Sequence, residues 1–213
     1  MILYGAPVSP FVRKVLVYAA CKGLELELVP VGIGDTNPDF VAASPFRKMP
    51  GFRDGDFTIS DSTAIITYLE TSHPEPELIP ADAANRARTI WFDEFADTIL
   101  TAAAGPIFFN RIVAPRFLNQ PGDAAAADKA EKEALPPVLD YLERTIPASG
   151  HLVGDRLTLA DIAVASPFVN AAHAGVAIDE ARYPKLVAWL ATMHSGTGFA
   201  DWIRRERKML GLG

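Results

Sequence analysis

The sequence predicts a small N-terminal α/β domain followed by an all-α helical bundle domain, and three observations carry that expectation. Within residues 1–76 the hydrophobic period switches repeatedly between two and about 3.6, as strands alternating with helices require. Three prolines between positions 74 and 80, in the run HPEPELIP, cannot continue a helix and mark a boundary. From Ala83 onward the apolar residues recur at helical spacing, with no convincing strand.

Met1 to Tyr4 is a short apolar strand closed by Gly5 and Pro7. Ser9-Pro10 begins a helix, Ser9 as N-cap and Pro10 in the first helical position, and Phe11, Val15, Leu16 and Ala19 follow at helical spacing to a stop at Gly23. Leu24, Leu26 and Leu28 alternate with Glu25 and Glu27, a strand period ending at Pro30. A polar loop leads to a short helical segment from Asn37-Pro38 to Ala43. A hairpin then joins 51–53 to 56–59 through Asp54-Gly55, and Ser60-Asp61-Ser62 opens an apolar helix carrying Ala64, Ile65, Tyr68 and Leu69. The order βαβ, short helix, ββα is that of a thioredoxin-like domain, expected over 1–76 with a linker at 77–82. The all-α domain, 83–213, is expected to hold helices near 84–117, 124–146, 158–173, 184–194 and 198–209. Pro106, Pro115, Pro136, Pro137 and Pro167 should kink or divide several of them.

With 20 basic against 26 acidic residues the net charge is -6, which argues against a partner with a nucleic-acid backbone. One cysteine allows no intrachain disulfide. The N-terminus lacks the cationic flank and apolar run of a signal peptide. The charge-free stretch 162–178 is interrupted by Ser166, Pro167, Asn170 and His173, so no membrane span is expected. These readings together point to a soluble cytoplasmic protein. No metal is expected, because His73, His151, His173 and His194 have no ligand spacing and a second cysteine is missing. Cys21, late in its helix, reads as a small packed residue. Arg204, Arg205, Arg207 and Lys208 read as the solvated face of the last helix.

Four short segments carry potential chemistry. Ser9-Pro10-Phe11-Val12 stands where a thioredoxin fold holds a Cys-x-x-Cys pair; a hydroxyl there excludes dithiol exchange, and its plainer role is a helix cap. Met49-Pro50 enters the hairpin, where a cis bond would turn the Met49 backbone towards an extended peptide ligand, although base rates favour trans. Asp61-Ser62, at a helix N-terminus, can bind an ammonium and a carboxylate or simply cap the helix. Arg47 and Lys48 could hold a second carboxylate or be a solvated pair.

In this order and spacing the segments SPFVRKV, KMPGF and SDSTAIITYLE, followed by LTLADIA, RYPKLVAWL and Gly198-Phe199-Ala200, make the chain resemble a cytosolic glutathione transferase, of the serine-type bacterial and tau-like kind. The resemblance spans nearly the whole chain and implies the glutathione transferase fold. It implies Ser9 as the catalytic hydroxyl, Met49 pairing its backbone with the cysteinyl unit of glutathione, and a cis Pro50. Asp61 and Ser62 would meet the γ-glutamyl group and Lys48 the glycine carboxylate, with Arg47 as helper. Asp61 stands where Glu is commoner in the family, one methylene shorter. Thr158 and Asp161 match the capping box that opens the family's central helix.

The implied activity is transfer of glutathione, as co-substrate, to a small hydrophobic electrophile by a homodimer. Phe11, Ile99, Ala103 and Ile107 are candidate pocket residues, the last three at helical spacing, and core packing is the equal alternative for each. Two other readings remain open. One is a glutathione-dependent isomerase or dehalogenase; the other is a family-like interaction protein without turnover, which would have no need of Ser9, Lys48, Asp61 and Ser62 together.

Overall fold

The computed structural model describes residues 1–196 and 198–212. They form two compact units. One comprises residues 1–78 with the last-helix stretch that ends at Glu206; the other comprises 79–196 with the residues after Glu206. The sequence places the last helix wholly in the all-α domain. Packing instead returns its first two turns to the α/β unit. Thr197 and Gly213, inside the expected range 83–213, lie outside the described residues.

In the first unit the elements are β1 (Ile2–Tyr4), α1 (Pro10–Cys21), β2 (Glu27–Val29), α2 (Pro38–Ala43), β3 (Gly51–Asp54), β4 (Phe57–Ser60) and α3 (Ser62–Ser72). The sheet order is β2-β1-β3-β4, with β1 parallel to β2 and the other pairs antiparallel. Strand β2 is shorter than the Leu24–Leu28 alternation suggests. Its ladder begins at Ile2 opposite Glu27, so Leu24 to Leu26 have no strand residue to pair with. The hairpin turn is Gly55-Asp56, because Asp54 pairs with Phe57; Gly55 supplies the positive φ (57°) that a two-residue turn needs.

Alternation along β1 sends successive side chains to opposite faces. Tyr4 joins Val31, Phe40 and Ala43 in one apolar cluster, its ring centroid 6.4 Å from that of Phe40. Leu3 therefore faces the other side, where α1 and α3 pack together and Val12, Val15, Ile65 and Leu69 are fully buried.

The second unit is helical: α4 (Ala83–Glu94), α5 (Thr101–Phe108), α6 (Ala114–Phe117), α7 (Ala124–Lys129), α8 (Leu135–Thr145), α9 (Leu159–His173) and α10 (Pro184–Ser195). The last helix, α11 (Phe199–Met209), spans the division between the units. The runs 83–117 and 124–145 are continuous, because π-helical turns at Phe95–Leu100, Phe109–Val113 and Ala130–Ala134 link their α-helical pieces. Two of these turns lie just ahead of Pro115 and of Pro136-Pro137, where the missing proline N–H breaks the regular ladder. Pro167, in contrast, lies within an undivided α9. That helix is buried along most of its length and packs against α4, α5 and α10. At its start Asp161 is buried, accepting hydrogen bonds from Thr158 N–H at 3.0 Å and Leu152 N–H at 2.8 Å.

Candidate active site

The register of the sheet brings the predicted residues together. Tyr4, at the end of β1, lies across from Gly51, which opens β3, and Gly51 lies across from Ser60, which closes β4. The loop to Ser9, the Met49-Pro50 dipeptide and Asp61-Ser62 therefore leave the sheet at one end, in adjacent strands. Strand spacing of about 4.8 Å places that row within the length of a short peptide.

Ser9 precedes α1 in extended conformation (φ -73°, ψ 127°), with Pro10 as the first helical residue. Its N–H donates to the Ala6 carbonyl at 2.9 Å, and its own carbonyl accepts from Arg13 N–H at 2.9 Å. Its side chain makes no capping hydrogen bond, so the plain role of helix cap is not the one observed. The hydroxyl is half-buried at the positive end of a twelve-residue helix.

The Met49–Pro50 peptide bond is cis. The Met49 sulfur accepts from Ala6 N–H at 3.3 Å, and the side chain packs on the Tyr4, Val31, Phe40 and Ala43 cluster. This anchors Met49 through its side chain. The preceding loop is held by the buried Ser44, whose hydroxyl donates to the Lys48 carbonyl at 2.6 Å and accepts from Lys48 N–H at 3.1 Å. Sequence reasoning passed over Ser44, since a lone serine in a loop has no distinguishing signal. Arg47 takes a left-handed conformation (φ 52°), and both Arg47 and Lys48 project as exposed cations.

Asp61, with φ 86°, is the N-cap of α3. Its Oδ1 accepts from Thr63 N–H at 2.9 Å and Ala64 N–H at 3.0 Å, while the carboxylate as a whole is exposed. The capping role is real, and it engages Oδ1 of an exposed side chain. Ser62 is buried. Together the residues offer a hydroxyl donor, an exposed carboxylate and exposed cations around one sheet end, a set matched to a small zwitterionic peptide.

The pocket candidates divide. Phe11 is half-buried near the start of α1. Ile99 is 52% exposed within the π-helical turn Phe95–Leu100, whereas Ala103 is 6% exposed and Ile107 wholly buried on α5. Steps of four residues rotate about 40° each on a regular helix, so these three residues do not share one face. The expected stripe thus turns into the core, and Ile107 is a packing residue. Cys21 is not a rival nucleophile, because burial pushes its thiol up from 9.0 to about 11. The basic run on α11 is only partly the solvated face expected: Glu206 between those cations is fully buried. Among the described residues no group of three His, Cys, Asp or Glu side chains could hold a metal. None of their helices is long and apolar enough to cross a membrane.

The fold agrees with the relationships of the chain. Residues 3–77 match the family model for the glutathione S-transferase N-terminal domain, and residues 95–195 match that for the C-terminal domain. Glutathione S-transferase 3 of Zea mays is 35% identical over 75% of this chain and 72% of its own length. The crystal structure of a glutathione S-transferase from Rhodospirillum rubrum F11 superposes with a TM-score of 0.85 at 28% identity, covering 94% of this chain and 90% of that one. A glutathione S-transferase-I bound with lactoylglutathione matches at a TM-score of 0.81 and 25% identity, covering 95% and 98%. The chain belongs to the glutathione S-transferase family, enzymes that use glutathione as co-substrate.

Proposed function

We propose that this transferase activates the glutathione thiol with the Ser9 hydroxyl and joins the resulting thiolate to small hydrophobic electrophiles. The observation that carries the reading is the Ser9 side chain itself, at the start of α1 and making no capping bond to the helix. A donor in that position is available for a ligand without loss of any capping interaction.

The energetics are sufficient. An unperturbed thiol has a pKa of about 8.5 and is mostly protonated at neutral pH. Lowering it by about two units needs roughly 2.7 kcal/mol of preference for the anion. A hydrogen bond to a charged acceptor supplies about 1.5–3 kcal/mol, and the helix N-terminus adds about 0.3–1 kcal/mol. Ser9 acts as a hydrogen-bond donor and forms no bond to carbon. The sulfur attacks the electrophilic carbon, the leaving group departs with the bonding pair, and the thiol proton passes to solvent.

In the same reading Met49 pairs its backbone with the cysteinyl unit and Pro50 shapes that edge. Asp61 takes the γ-glutamyl ammonium through its outer oxygen, and Ser62 assists at the α-carboxylate. Lys48 holds the glycine carboxylate, with Arg47 beside it. Phe11, Ile99 and Ala103 belong to the electrophile side, and the working form is a homodimer. The test is a thiolate absorbance titration of bound glutathione. Wild type should show the anion at pH 7 and Ser9→Ala should show it about one to two units higher. An equal thiol pKa in both proteins rejects the assignment.

A further inference from the structure

Arg13 lies one helical turn after Ser9 on α1, in a buried stretch whose other charged residue is Lys14. Its guanidinium is fully buried and meets Glu206 of α11 in a two-pronged pair, Nε to Oε1 at 2.7 Å and Nη2 to Oε2 at 2.6 Å. Glu206 is also fully buried. The two residues are 193 positions apart, so the pair ties the end of the chain to its first helix. Just ahead of α11, Gly198 sits with φ 84° so close to α1 that an added Cβ would stand 3.2 Å from the Val17 Cα. The backbones are therefore in near contact as well as bridged.

We propose that Arg13 and Glu206 are positioning residues for thiol activation. The pair fixes the first turns of α1, and through the Arg13 N–H to Ser9 carbonyl bond it fixes the direction of the Ser9 hydroxyl. The proposal rests on the role assigned to Ser9 above. Two features separate this pair from a simple brace. A forked guanidinium–carboxylate contact constrains orientation as well as distance. A buried ion pair also adds little net stability over apolar packing of the same volume, so stability alone accounts poorly for it. Hydrogen-bond strength to a developing anion depends steeply on donor placement, which makes the first turn of α1 the place where such constraint matters.

Arg13→Lys keeps the charge and removes the fork. The expected result is a bound-glutathione thiol pKa raised by about half a unit to one unit, with kcat down about threefold to tenfold at pH 6.5 and KM for glutathione within about twofold. The double variant Arg13→Met with Glu206→Leu replaces the pair by apolar groups of similar bulk. It secures a folded protein for the measurement even where the single variant is too unstable. Its thiol pKa should stay raised although its thermal stability equals or exceeds wild type. A wild-type thiol pKa in either folded variant overturns the proposal and leaves the pair as a structural brace. Ser9→Ala is titrated in parallel: if it too leaves the thiol pKa unchanged, the Ser9 assignment has failed, and the positioning proposal falls with it.

Discussion

Helices α1 and α3 start at the same end of the sheet, yet their first polar side chains are committed in opposite ways. Asp61 bonds two backbone N–H groups of its own helix, as Asn37 does, and Asp82 and Asp123 each bond one of theirs, whereas Ser9 makes no such bond. Pro10 is part of the reason: with no N–H at the first helical position, and φ already set, α1 needs less help from its cap. One helix start is thus self-sufficient and the other has donor capacity to spare. Polar residues at helix N-termini are therefore informative through what they fail to bond as much as through their presence.

This contrast is open to attack at three levels. The largest effect belongs to Ser9→Ala, which should lower kcat/KM for glutathione transfer to an aryl halide by about tenfold to a hundredfold, the cost of losing a charge-assisted hydrogen bond. The same substitution should leave unfolding free energy within about 0.5 kcal/mol, since no cap is lost; a clear fall in chemical denaturation experiments would mean that the hydroxyl serves the helix after all. Asp61→Ala should destabilise the fold by about 1 kcal/mol and also weaken glutathione binding. Asp61→Asn separates those roles, because Asn caps as well as Asp but carries no charge. Calorimetry should find its stability preserved and its glutathione affinity reduced, and unchanged affinity would move the ammonium contact elsewhere.

The smallest effect lies at the other end of α1. The Cys21 thiol is raised by burial from 9.0 to about 11, so the folded chain keeps a proton that the unfolded chain releases. The sign follows: stability is complete below pH 9 and falls as pH rises towards 11. Cys21→Ala should flatten this alkaline slope, and an identical slope in the variant would show that Cys21 is not its source.

Local chemistry in the sequence revealed the starts of these helices well. Ser9-Pro10, Asn37-Pro38 and Asp61-Ser62 each announce a helix through residue preferences that act within four positions. The convergence of Ser9, Met49 and Asp61 followed from the resemblance, and the strand register gives its physical basis. What escaped was non-local. The short reach of β2 depends on where β1 begins. The part of α11 that returns to the first unit carries buried Phe199 and one buried acid, Glu206, among four cations that composition reads as a solvated face. Of the two roles open to Ile107, its full burial favours packing, because four-residue steps drift around a helix instead of holding one face.

The alignment of Tyr4, Gly51 and Ser60 has one more implication. On the proposed reading of the site it gathers the ligand-facing loops at one rim of the strands and leaves the Gly55-Asp56 hairpin tip at the opposite rim. Sequence drift or engineered insertions at that tip are insulated from chemistry. The sheet works as a handle whose far edge can be reshaped while the working edge keeps its form.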